Sequence, residues 1–94
     1  DMDYINAAVD GVFAHVEEID QAISDHLHGW TLKRLAKVDL SIMRLALFEM
    51  KYMADVATAT SINEALELSH TYSTEKAAPL INGVLGTIGR ELEA

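Results

Sequence analysis

Glu64 and Glu67 stand three residues apart, a spacing that puts two carboxylates on one side of a helix. A general acid and base can be built from such a pair, but no nucleophile accompanies it. The four histidines are His15, His26, His28 and His70. His26 and His28 are two apart, so a helix points them to different sides and they do not form a metal-ligand pair. Glu17-Glu18 reads as a solvated face. Lys33, Arg34 and Lys37 form the one basic cluster in the sequence, and a solvated face is its plainer reading. There is no phosphate-binding glycine loop, no Gly-x-Ser-x-Gly elbow and no His-Glu-x-x-His. Cysteine is absent, which removes disulfides, thiolate zinc sites and a cysteine nucleophile, and fits a reducing cytoplasm. These residues carry no catalytic signature and call for no cofactor or metal, so the expectation is that the chain is not an enzyme.

The elements that must position these residues are helical. Ile5, Ala8, Val9, Val12, Phe13, Val16, Ile19, Ile23 and Leu27 recur at three- and four-residue spacing, which predicts one long amphipathic helix stopped at His28-Gly29. Thr31 can cap a short turn through Leu35. From Val38 to Met53 apolar residues cover nearly the whole circumference, which predicts a central helix with Asp39 as its N-cap. Arg44 lies in that least solvated element and needs a partner, so an Arg44–Glu64 or Arg44–Glu67 bridge is expected. Ser61-Ile62-Asn63-Glu64 matches a capping box ahead of a helix that ends near Tyr72-Ser73. Pro79 suits the first turn of a last helix carrying Leu80, Ile81, Val84, Leu85, Ile88 and Leu92. Gly83, Gly86 and Gly89, three apart in that helix, predict a close packing face. An Asn82-Gly83 hairpin turn is the weaker alternative, because no alternating strands flank it.

The 94 residues suffice for one small domain, and no internal boundary, repeat or low-complexity tract appears. The formal net charge of −8 argues against nonspecific nucleic-acid binding by this stretch as a whole. No apolar run approaches the roughly 20 residues of a membrane span. Asp1-Met2-Asp3 is acidic where a secretory leader is basic. The sequence opens inside an amphipathic pattern, which predicts a piece of a longer protein.

Three segments resemble one known family. Trp30-Thr-Leu-Lys-Arg-Leu35 with Val38-Asp39-Leu-Ser-Ile-Met-Arg44-Leu-Ala-Leu-Phe48-Glu49-Met50 is similar to the NusB pattern around its central helix. Ser61-Ile-Asn63-Glu64-Ala65-Leu-Glu67-Leu68 resembles that family's Ile-Asn-Glu-Ala motif, and Ile81-Asn82-Gly83-Val84-Leu85 its Val-Asn-Gly-Val-Leu motif. The resemblance implies an all-α, NusB-like bundle of four to five helices around a central apolar helix. Residues 1–94 would form a single domain lacking the family's N-terminal, arginine-rich half. It further implies a bacterial, cytoplasmic antitermination factor that binds boxA RNA together with NusE, a small-subunit ribosomal protein. Such a factor helps the transcription elongation complex read through terminators, notably in ribosomal RNA operons. Some members are homodimers that bury their RNA surface.

Carried over by position, the resemblance implies that Asp39 faces NusE and that Glu75, Lys76 and Leu80 border the RNA. Two departures bear on the latter. Lys76 stands where some relatives carry an acid, so it can gain a phosphate contact. Leu80 stands where an aromatic is found and cannot stack on a base. Arg44, Glu64, Glu67, Asn82 and Gly83 are expected to hold helices together. The alternative is the NusB-like domain of a ribosomal RNA cytosine methyltransferase, which would continue into a nucleotide-binding domain. An ending at Glu91-Leu92-Glu93-Ala94 favours the first reading. A third is a helical interaction module with no nucleic-acid role.

Overall fold

The computed structural model describes residues 9–29, 31–53 and 55–93, and among these every regular element is helical. Ile5 and Ala8 of the expected first stripe, and Trp30, lie outside the described residues. A helical segment over 9–14 leads into α1 (Val16–Asp25). A single 3-10 turn (Leu32–Arg34) follows, then α2 (Lys37–Tyr52), α3 (Thr58–Tyr72) and α4 (Ala77–Glu93). Helix α2 packs against α1, α3 and α4, which is the central position expected of a helix apolar on most sides. Its buried Ile42, Met43, Ala46 and Leu47 meet Ile19 and Ile23 of α1, Ala65 of α3, and Ile81, Val84, Leu85 and Ile88 of α4 in one core.

The first segment is not one helix. It breaks at His15, whose backbone (φ −118°, ψ 16°) leaves the helical region, and its ring stacks on Tyr52 of α2 with centroids 4.1 Å apart. Before the break, the backbone at Gly11 lies so close to the Phe48 ring that a Cβ there would collide with Cζ and Cε1. Helix α1 stops at Asp25, three residues earlier than expected. Gly29 then takes a positive φ of 81° in the turn that follows.

Two expected caps are corrected. Helix α2 starts at Lys37 with Ala36 before it, so Asp39 is the third residue of the helix and caps nothing. Its carboxylate instead accepts a 2.5 Å hydrogen bond from the Ser73 hydroxyl, across to the end of α3. Helix α3 starts at Thr58, one turn ahead of the Ser61 capping box. Ser61 is thereby carried into the interior of the helix, buried, with its hydroxyl unpartnered among the described residues.

Candidate functional site

Arg44 is paired, but with neither expected glutamate. Its Nε donates to Asp20 Oδ1 at 2.7 Å and its Nη2 to Asp20 Oδ2 at 2.6 Å, a two-pronged bridge tying α1 to α2. The bond to Asp20 holds the guanidinium above its ordinary pKa. Glu64 and Glu67 lie on exposed positions of α3, because the Arg44 face of α2 turns toward α1. A second bridge follows along the same seam, where Glu18 accepts from both Lys51 Nζ (3.0 Å) and the Tyr52 hydroxyl (2.7 Å). The Tyr52 and then the Lys51 hydrogen bond lower the Glu18 carboxyl. Asn82 and Gly83 are exposed on α4 and join no neighbouring helix among the described residues. Of the three spaced glycines only Gly89 meets a neighbour closely: a Cβ there would lie 2.9 Å from the Thr58 methyl.

Three of the four candidates proposed for partners, Asp39, Lys76 and Leu80, come together. The 3-10 turn and the first turn of α2 form one wall of a groove of about 310 Å³; the connection between α3 and α4 and the first turn of α4 form the other. Arg34, Ala36 and Asp39 line the first wall, and Thr74, Lys76 and Leu80 the second. The Ser73–Asp39 hydrogen bond holds the two walls in register. Asp39 is only 8% exposed, so most of its surface is already spent inside the fold. Glu75 is exposed in the same connection but does not line the groove.

The distribution of positive charge singles out this face. The chain has seven lysines and arginines. Arg44 and Lys51 are neutralised by Asp20 and Glu18, and Arg90 donates to Thr87 Oγ1 at 3.1 Å. Lys33, Arg34, Lys37 and Lys76 are exposed and carry no ion pair within the described residues. Two of these four line the groove, and the other two flank Arg34 within three residues. A chain of net charge −8 thus presents a local cationic edge. No group of three His, Asp or Glu among the described residues is placed to hold a metal ion. No described helix is long and apolar enough to cross a membrane.

One clasp escaped the sequence reading. His26 Nδ1 meets the Ala22 carbonyl oxygen at 2.7 Å and Nε2 meets Glu91 Oε1 at 3.0 Å, joining the end of α1 to the end of α4. The only sequence signal for it is a histidine just past the last turn of a helix, one turn beyond a free carbonyl.

A sequence model of the NusB family matches residues 1–90. The chain is 49% identical over 86 residues to the transcription antitermination protein NusB of Clostridium botulinum (strain Kyoto / Type A2), covering 92% of this chain and 60% of that protein. It is 46% identical over 89 residues to the protein of the same name from Listeria monocytogenes serotype 4a (strain HCC23), covering 95% and 70%. The solved structure of T. maritima NusB superposes with a TM-score of 0.87 at 34% identity, covering 90% of this chain and 60% of that one. The chain therefore spans 60% of the length of the Clostridium relative. From its sequence motifs, its helical architecture and this match, the chain belongs to the NusB family.

Proposed function

We propose that the protein acts in transcription antitermination, as a cytoplasmic binding factor without catalytic chemistry. In this reading it engages boxA RNA together with NusE, within the elongation complex, and promotes read-through of ribosomal RNA operons. The relatives' name supports the process. The observation that carries the RNA part is the gathering of unpaired cations around the groove of Arg34, Lys76 and Leu80. Phosphate contacts supply most of the affinity of such complexes, and they need cations not already neutralised by the protein's own carboxylates. Asp39 lines the same groove and is the candidate toward NusE.

The test is fluorescence anisotropy with a boxA-like single-stranded RNA across a salt series. Removing one cation–phosphate pair should lower the magnitude of the log–log salt slope by about 0.7. Lys76→Ala and Arg34→Ala are each expected to weaken binding and to flatten the slope by about that amount. Unchanged affinity and slope in both variants would remove the RNA assignment from this face. In the NusE arm, Asp39→Asn is expected to weaken capture of NusE while RNA affinity holds, and intact capture would assign Asp39 to the fold alone.

A further inference from the structure

A second groove, of about 350 Å³, runs along α4 beside the first, and Leu80 lines both. His26 and His28, past the end of α1, face Pro79, Gly83 and Thr87 of α4 across it. Among the described residues, nothing gives Gly83 a reason to be glycine. It is exposed inside a helix, its φ is negative, and a Cβ there would meet no described residue within 4 Å. Glycine is among the least favourable residues at such a position, so the open space above it points to something arriving from outside. His26 is fixed by its two hydrogen bonds, whereas the exposed His28 ring has no partner among the described residues. Thr87 adds a hydroxyl and Leu80 an apolar wall. A planar, uncharged group with an apolar face and polar edges suits the lining.

Resting on the RNA reading above, we propose that this groove receives one unstacked base of the single-stranded RNA whose phosphates contact Arg34 and Lys76. His28 stacks on the base, and Gly83 leaves the room for it. Imidazole rings serve as stacking platforms for splayed bases, and such stacking tolerates sequence variation. The two grooves meet at Leu80, so one strand can pass from the cationic edge to the base site without crossing the protein.

The experiment compares wild type, His28→Ala, Gly83→Leu and Lys76→Ala by anisotropy with the same RNA. His28→Ala removes the platform from an exposed position, and Gly83→Leu fills the groove with a good helix former. Each is expected to weaken RNA binding by about fivefold or more with no change in salt slope, since every cation–phosphate pair remains. Lys76→Ala should instead flatten the slope. RNA bearing 4-thiouridine should crosslink to peptides containing His28 or Gly83 in the wild type. Wild-type affinity in both His28→Ala and Gly83→Leu, with Lys76→Ala still weakened, overturns the base site and leaves the RNA reading standing. Absence of RNA binding by the wild type overturns both. Loss of NusE capture with RNA affinity intact in the two groove variants assigns the groove to a protein contact and overturns the proposal as well.

Discussion

His26 shows how much a single side chain reveals once both ring nitrogens are placed. A nitrogen facing a carbonyl oxygen must carry a proton, and so must one facing a carboxylate. With Nδ1 on Ala22 and Nε2 on Glu91, only the protonated ring donates to both partners at once. The Ala22 carbonyl, more than Glu91, raises its pKa above the usual 6.5. A raised folded-state pKa means the clasp stabilises fully below the unfolded value and is lost as pH rises through the folded one. Glu91→Gln weakens the charged pairing on an exposed partner. The melting temperature of wild type should therefore exceed that of Glu91→Gln below the ordinary histidine value of 6.5, and the gap should narrow as pH rises above it. A gap constant with pH would show that the pair contributes nothing through protonation. Arg44 teaches the complementary lesson. That it needs an acid was legible from its place in an apolar helix. Which acid depended on the direction its face of α2 turns, and that follows from packing rather than spacing.

At the level of the element, the three glycines of α4 separate spacing from environment. Residues three apart on a helix step back by about 60° each time. Gly83 therefore faces out, Gly86 is half-buried and Gly89 is buried against Thr58, Met50 and Ile62. Gly83→Ala should raise stability by about 0.5–1 kcal/mol, because it adds helix propensity and touches nothing. Gly89→Ala gains the same propensity but sets a Cβ 2.9 Å from a β-branched methyl that has little freedom to move. Overpacking of this kind costs about 1–3 kcal/mol, so the net change should be destabilising. Urea denaturation of the two variants should give shifts of opposite sign; a gain in both would mean that α3 yields freely at Thr58. The helices themselves were legible because their apolar periods are long. Their first residues were not. Ser61 has the local signature of a cap, yet the helix continues backward through Thr58, and burial of Ser61 overrides the signature.

Across the whole molecule, the apolar stripe of the first segment divides in two. Ile19 and Ile23, after the break at His15, are fully buried in the core. Phe13, before it, is 74% exposed, and with Val9, Val12, Val16, Ser41 and Leu45 it borders an open groove of about 290 Å³ beside Arg44. Periodicity places the residues of the first segment on one side of a helix, and nothing in it distinguishes the part buried in the core from the part that only borders the edge of α2. The distinction comes from the break, which lets Gly11 settle on the Phe48 ring and swings the earlier turn along the edge of α2. Substitutions should expose the difference directly. Ile23→Ala removes a core side chain and should cost about 2–5 kcal/mol. Phe13→Ser, in the same stripe, should change stability by less than about 0.5 kcal/mol, because so little of the ring is shielded from water in the fold. Thermal melts of the two variants decide the matter. A drop of more than about 1 kcal/mol for Phe13→Ser would mean that the first segment contributes to the fold through its aromatic face and not only through the docking of Gly11 on Phe48.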